Sequence, residues 1–396
     1  GDVGSGKTAV AAAATFAVAS NGGQVAFMAP TEILAEQHHR ALSALFAPLG
    51  ITTALLTGSL KAREKTVIKG DITSGNVQLV IGTHALITSD VAFQNLELVI
   101  ADEQHKFGVA QRAALAEKGF APHLLVMSAT PIPRTLALIL YGDLDVSIMD
   151  ELPPGRQTID SFLVSESKRH RMYNFIRQQV ENSNQVYVVC PAIEDNPDSD
   201  LTPAAVVAEE LGNVIFPDLT VGLLHGKMKA AEKEAVMHQY AGGEIQILVS
   251  TTVVEVGVDV PNTTLMVIEN ADRFGLSQLH QLRGRVGRGK DKSFCVLISN
   301  NTNVETRARL KTFCSTTNGF EIAQADLELR GPGDFFGSRQ SGLPLFKVAN
   351  LALDLDVLKT AQDASITYLQ SHPNIQSNKP LIARISNLFE ENMALN

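Results

Sequence analysis

Gly1-Asp2-Val3-Gly4-Ser5-Gly6-Lys7-Thr8 opens the chain, and the reading of this stretch decides the fold. It fills the pattern GxxxxGK[ST], which ordinary residue frequencies produce in roughly one chain in a hundred of this length. Glycine at these spacings lets the backbone turn tightly with its N–H groups inward, so that phosphate oxygens meet a nest of donors and the positive end of the following helix. Gly4, Ser5 and Gly6 are the expected cradle, Lys7 the mobile charge for the β and γ phosphates, and Thr8 the hydroxyl that ligates Mg2+. The apolar, alanine-rich run over residues 9–19 suits a helix packed on a sheet. A glycine-rich turn with an incidental lysine is the competing reading, and it leaves the spacing without a cause. Such a loop ordinarily follows a buried strand, so a sequence that starts inside it reads as a piece of a longer chain.

Downstream, short apolar runs recur, each ending in polar residues. Residues 24–28 lead into Ala29-Pro30-Thr31, with Thr31 able to cap the next helix; residues 77–81 lead into Gly82-Thr83-His84. Residues 96–101 deliver Asp102-Glu103-Gln104-His105, and residues 124–127 deliver Ser128-Ala129-Thr130. Strands alternating with helical lengths predict an α/β fold with a parallel sheet and a ligand site along one rim. Adjacent carboxylates at a strand end point to different sides, so Asp102 can hold Mg2+ through water while Glu103 orients an attacking water.

Near residue 150, Asp150-Glu151-Leu152-Pro153-Pro154-Gly155-Arg156 reads as an extended linker. A second α/β set follows, with strand-length runs at 185–190, 221–224, 245–249, 265–268 and 294–298. It carries no second phosphate loop. Instead Gln281-Leu282-Arg283-Gly284-Arg285-Val286-Gly287-Arg288 sets three arginines among glycines, and planar guanidinium groups suit phosphate charge. Arg285 and Arg288 are read as fingers reaching a nucleotide across a cleft, the alternative being phosphate contacts to DNA or a free surface. Residues 304–316 suit a helix ended by Gly319, and 320–329 a second, antiparallel helix broken by Gly331-Pro332-Gly333. Beyond residue 350 one or two helices are expected.

At 396 residues with 45% apolar content the chain is expected to form two or three domains. A net charge of −9 excludes binding DNA by bulk electrostatics, and the absence of tryptophan argues against broad base-stacking platforms. Cys190, Cys295 and Cys314 are odd in number and widely spaced, which indicates neither a disulfide framework nor a zinc site and fits a reducing cytosol. No apolar run reaches the length of a bilayer span.

Taken in order, the phosphate loop, Ala29-Pro30-Thr31-Glu32, Gly82-Thr83-His84, Asp102 to His105, Ser128-Ala129-Thr130, Ser250-Thr251-Thr252 through Gly257-Val258-Asp259, and the arginine motif resemble the motif series of superfamily 2 helicases. The forms Asp102-Glu103-Gln104-His105-Lys106-Phe107-Gly108, Pro131-Ile132-Pro133-Arg134-Thr135, Asp326 to Gly333 and Arg339-Gln340-Ser341-Gly342 are similar to those of the RecG family of bacterial branched-DNA helicases. The transcription-repair coupling factor shares the general form of the last segment. The resemblance implies two tandem RecA-like domains with parallel sheets (1–150 and 159–300, joined by a linker at 151–158). A helical hairpin with a translocation loop (301–345) and a helical tail (346–396) would follow. It implies ATP and Mg2+ as cofactors, with Gly257 and Asp259 at the nucleotide and Glu103, Gln281, Arg285 and Arg288 in hydrolysis. Thr31, Thr83, His84, His225, Lys227, Thr251 and Thr252 would touch the nucleic-acid backbone; Ser128, Thr130, Arg330, Arg339 and Gln340 would couple hydrolysis to movement. The implied activity is ATP-driven translocation on duplex DNA that remodels forks and Holliday junctions, by a cytoplasmic bacterial monomer off the membrane, with single-stranded-DNA-binding protein as a further partner. A translocase of the transcription-repair coupling type and a clamp that binds DNA without hydrolysis are the alternatives.

Overall fold

The computed structural model describes residues 1–103, 114–128, 145–153, 158–191, 204–251, 260–335 and 355–393. Two compact units emerge. Gly1–Pro131 with Met149–Gly319 makes the first, and Ile132–Ile148 with Phe320–Asn396 the second.

The first unit is built on two wholly parallel sheets. Sheet A runs β2-β3-β1-β4-β5, from strands β1 (Gln24–Met28), β2 (Thr53–Leu56), β3 (Leu79–Gly82), β4 (Leu96–Ala101) and β5 (His123–Val126). Residues of β1 alternate between two cores, because successive side chains of a strand point to opposite faces. Val25 and Phe27 pack with α1 (Lys7–Ser20) and α2 (Glu32–Phe46), while Ala26 and Met28 pack on the other face with Ile72 of α3 (Ala62–Thr73). Covered on both sides, β1 is continuously apolar after its first residue, as a central parallel strand must be.

Sheet B runs β6-β11-β10-β7-β9-β8, from β6 (Ile159–Val164), β7 (Gln185–Val189), β8 (Val221–Leu224), β9 (Ile247–Ser250), β10 (Thr263–Ile268) and β11 (Ser293–Ile298). Its core joins Val186, Val188, Ile247, Val249, Leu265 and Val267 to Met172 and Ile176 of α4 (Arg169–Glu181). Further along are α5 (Ala204–Glu210), α6 (Ala230–Ala241), α7 (Leu276–Arg283) and α8 (Val304–Ser315).

Sheets A and B share a local plan. Gln24, buried at the head of β1, donates its amide to the carbonyls of Ile72 and Val77, just where α3 ends. Gln185 does the same at the head of β7 toward Tyr240 and Ile245, at the end of α6. Lys61 N–H donates to Glu64 at the start of α3, and Lys229 N–H to Glu232 at the start of α6. Lys65 closes on Gly58 O and Lys233 on Gly226 O. The chain thus uses one supersecondary unit twice, with β1, β2 and β3 matching β7, β8 and β9.

In the second unit, α9 (Gly319–Phe335) begins with the last residue of the first, and α10 (Leu355–Ser371) and α11 (Lys379–Met393) follow. Here the expected bounds of the two helices are corrected. Gly319 opens the second helix instead of closing the first, and α9 runs on through Gly331-Pro332-Gly333. A proline forfeits one helical hydrogen bond and each glycine costs about 1 kcal/mol of propensity, a local penalty that burial of Ile322, Ala323 and Leu327 on the same helix offsets.

Candidate nucleotide and nucleic-acid site

Gly4 and Gly6 take φ values of 71° and 93°, the left-handed region that a side chain would resist, and α1 starts directly after them. Ser5 N–H closes on Asp2 O at 3.2 Å, while the buried Ser5 hydroxyl has no hydrogen-bond partner within the loop. Lys7 Nζ donates to the carbonyls of Gly1 at 2.9 Å and Asp2 at 2.7 Å. These are neutral acceptors, and phosphate oxygens would replace them with stronger, charge-assisted bonds. The cradle, an orphaned hydroxyl and a lysine parked on carbonyls fit a polyphosphate. Met149 lies against this loop: a Cβ on Gly1 would stand 2.9 Å from Met149 Cβ.

The C-terminal rim of sheet A sets out the other residues in order. Asp102 N–H continues the ladder to Met28 O at 3.0 Å, Ala29 N–H to Gly82 O at 2.8 Å, and Met127 N–H to Ala101 O at 2.8 Å. Thr83 and His84 therefore follow β3, Pro30 and Thr31 follow β1, Asp102 and Glu103 follow β4, and Ser128 follows β5. Glu103 has φ 52°, and a non-glycine residue held there stores strain of the kind that collects at functional sites. Its N–H donates to Asp102 Oδ1 at 3.0 Å. Thr8 and Asp102 carry oxygen atoms of the kind that could hold Mg2+, and no cluster of three or more His, Cys, Asp or Glu ligands exists among the described residues.

From the other sheet, α7 and the turn after it reach the phosphate loop. Gly284 packs so closely that a Cβ there would stand 2.5 Å from Val3 Cγ1. His280 Nε2 pairs with Asp2 Oδ1, and Asp2 Oδ2 accepts Gly319 N–H at 3.0 Å. Burial pushes the Asp2 carboxyl up, but the His280 bond and backbone donors outweigh it and hold the carboxyl below its ordinary value. His280 Nδ1 lies 3.0 Å from Arg283 Nη2, and Arg283 Nη1 donates to Thr316 O at 2.8 Å and Phe313 O at 3.2 Å. Gln281, Arg285 and Arg288 stand half-buried on this segment, with Arg288 Nε donating to Gly284 O at 3.3 Å.

This contact yields an expectation. Gly284→Ala forces a methyl onto the stiff, branched Val3, so the turn carrying Arg285 must retreat from the loop. ATP turnover should fall by about tenfold or more, since an ångström of misplacement costs up to ~100-fold; unchanged steady-state hydrolysis would show the turn to be free of the loop.

The predicted nucleic-acid contacts divide. Thr31 caps α2, its hydroxyl accepting Leu34 N–H at 3.4 Å. Thr83 is 2% exposed and faces inward, which leaves His84 as the exposed member of that pair. On sheet B, Leu224 pairs with Ser250, so His225, Lys227 and Thr251 share one rim, with Lys227 exposed. Thr130, Thr252, Gly257, Asp259, Arg339 and Gln340 lie outside the described residues, as does the side chain of Arg330. Asp2, His38, His280 and Arg283 carry parts of the site to which the sequence assigned no role. His38 Nε2 lies 2.9 Å from Asp102 Oδ2. Asp2 sits at a variable position of the loop pattern, and its partner is 278 residues away.

Cys190 and Cys295 are buried, with thiols pushed up to about 12 by burial, so neither is a nucleophile. Among the described residues no helix is long and apolar enough to cross a membrane.

Three family models match in sequence. A DEAD/DEAH box helicase model matches residues 1–139, a helicase conserved C-terminal domain residues 167–290, and the C-terminal part of domain 3 of the ATP-dependent DNA helicase RecG residues 316–392. The chain is 50% identical over 391 residues to an ATP-dependent DNA helicase RecG of Synechocystis, covering 99% of this chain and 47% of that one. It is 50% identical over 366 residues to the Bacillus subtilis protein of the same name, covering 92% and 54%. A solved structure of RecG bound to a three-way DNA junction superimposes with a TM-score of 0.75 at 47% identity, over 90% of this chain and 46% of that one. The chain spans about half the length of the curated relatives it matches.

Proposed function

The chain belongs to the RecG family of helicases, and from that premise we propose that it is the ATP-driven motor of a DNA helicase that translocates on duplex DNA and remodels stalled forks and Holliday junctions in recombination and repair. One observation carries the reading: the arginine-bearing turn after α7 packs on the phosphate loop, through Gly284 on Val3 and His280 on Asp2. A single nucleotide site assembled from two sheets is what lets hydrolysis be felt as movement of one against the other.

Gly4 to Thr8 cradle the phosphates, and Lys7 exchanges loop carbonyls for their oxygens. Thr8 and Asp102 would hold Mg2+, which would supply positive charge against the transferring phosphoryl group. Glu103 orients the attacking water and takes its proton. Gln281, Arg285 and Arg288 complete the charge complement from the second sheet, and Gly257 and Asp259 are assigned to the nucleotide as well. Thr31, His84, His225, Lys227 and Thr251 lie along or beside the rims that would meet the DNA backbone, Thr252 is assigned to the same contact, and Ser128, Thr130, Arg330, Arg339 and Gln340 pass the change onward. Action in the bacterial cytoplasm, as a monomer and alongside single-stranded-DNA-binding protein, belongs to the same reading.

The test uses the full-length protein. ATP hydrolysis should rise more with three-way or four-way junctions than with equal lengths of plain duplex. Equal stimulation by both, together with binding to RNA polymerase, would move the assignment to the transcription-repair coupling type; tight DNA and ATP binding without turnover would leave a clamp.

A further inference from the structure

Asp102 is held by more than its own backbone. His38, on the second turn of α2, places Nε2 2.9 Å from Asp102 Oδ2, and the two side chains are only 12% and 14% exposed. The imidazole lies tilted on the ring of Phe27, centroids 4.7 Å apart, and Phe27 is fully buried in β1. A carboxylate offers about four lone-pair directions. Glu103 N–H takes one on Oδ1 and His38 takes one on Oδ2, which fixes the plane of the group and leaves a direction on each oxygen for a metal-bound water. The same helix starts at Thr31, on the rim read as meeting the nucleic-acid backbone. Seven residues, two helical turns or about 10 Å, separate that end from the imidazole. A histidine that merely filled the core would need volume alone; this one meets an acid with a hydrogen-bonding atom.

We propose that His38 is a positioning residue for the Walker-type acid Asp102, orienting it toward Mg2+ and passing to it the seating of DNA at the N-terminal end of α2. The proposal rests on the nucleotide-site reading above. His38 donates Nε2–H to Asp102, and DNA pressing on the start of α2 moves the helix as one body, so the acid is aligned when the track is occupied. Groups that anchor a metal ligand from behind commonly contribute 10–100-fold to metal affinity.

Full-length His38→Leu, His38→Ala and His38→Gln separate the roles, because leucine keeps volume, alanine keeps neither volume nor donor, and glutamine keeps a donor at similar reach. Binding of Mn2+ with a non-hydrolysable ATP analogue, read from loss of the free-ion resonance signal, should weaken about tenfold in whichever of the leucine and alanine variants folds. Glutamine should restore it. The Mg2+ concentration for half-maximal hydrolysis should rise in parallel and DNA stimulation should shrink, while DNA affinity stays within about twofold of wild type. Wild-type Mn2+ affinity in the leucine and alanine variants, or equal failure of glutamine, would overturn the proposal. The Mn2+ measurement decides it even if wild-type hydrolysis proves indifferent to DNA, a result that would sink the functional reading alone.

Discussion

Lys7→Ala in the full-length protein should lower DNA-stimulated ATP hydrolysis by about 10²–10³-fold, the usual cost of removing one charged donor from a preorganised phosphoryl-transfer site. Its magnitude follows from what Lys7 holds without a ligand. Nζ rests on two neutral carbonyls of its own loop, at 2.9 and 2.7 Å, so the side chain is already pointed and loses little freedom when phosphate oxygens replace them. Those bonds lie in a half-buried loop and end on backbone carbonyls, not on core side chains. The unfolding midpoint should therefore stay within about 0.5 kcal/mol of wild type, as for surface substitutions. Hydrolysis assayed across ATP concentrations checks the first expectation, and turnover within a few-fold of wild type would refute the assigned site. Arg285→Ala should lose turnover on a similar scale while binding nucleotide normally, because its segment reaches the loop from the second sheet.

Much of this was legible in the chain because the evidence is local. A phosphate loop is a backbone shape, and its glycines declare it; β1, β4 and β8 were read to their observed ends because apolar runs bounded by turn residues leave little choice. Two strands escaped, β2 and β6: each is an edge among the described residues, as β8 is, but their apolar pattern thins to Thr-Ala-Leu-Leu and Ile-Asp-Ser-Phe-Leu-Val. The repeated unit was also missed. Its signature is the pair Leu60-Lys61-Ala62-Arg63-Glu64-Lys65 and Met228-Lys229-Ala230-Ala231-Glu232-Lys233, each ahead of a Gln that hydrogen-bonds back to an earlier N–H. Read as surface charge it says little, but Glu64 and Glu232, accepting the N–H of Lys61 and Lys229 at the two helix starts, give it a structural cause. Gly331-Pro332-Gly333 misled in the opposite sense, since a local breaker rule was outweighed by burial elsewhere on α9. The pairs Asp2–His280 and His38–Asp102 could not be found from spacing. Neither partner belongs to a motif with the other, and only the parallel crossovers bring them to adjoining rims.

Arg283→Met should destabilise the first unit by about 3 kcal/mol, the largest stability effect expected of any single change in the arginine motif. Arg283 is 2% exposed, and burial holds its guanidinium below the usual arginine range, yet it makes no ion pair at hydrogen-bond distance among the described residues. It works instead as a cap from another part of the chain. Nη1 donates to Phe313 O and Thr316 O at the C-terminal end of α8, where helical carbonyls have no partner of their own, and a cation there also opposes the negative end of the helix dipole. The guanidinium lies 4.3 Å over the Phe313 ring, and Nη2 reaches His280, the residue that pairs with Asp2. Methionine fills the volume but offers no donor, so a buried carbonyl at Phe313 and a half-buried one at Thr316 lose their bonds at about 1–3 kcal/mol each, less what water recovers. Arg283→Lys should recover only part of this, because one ammonium cannot reproduce the flat fork that spans Phe313, Thr316 and His280. Urea denaturation of the full-length protein followed by fluorescence or circular dichroism measures the loss, as a lower midpoint at unchanged slope. A methionine variant with a wild-type midpoint would mean that the carbonyls of Phe313 and Thr316 find other partners, and that the end of α8 does not depend on the arginine motif for its hydrogen bonds.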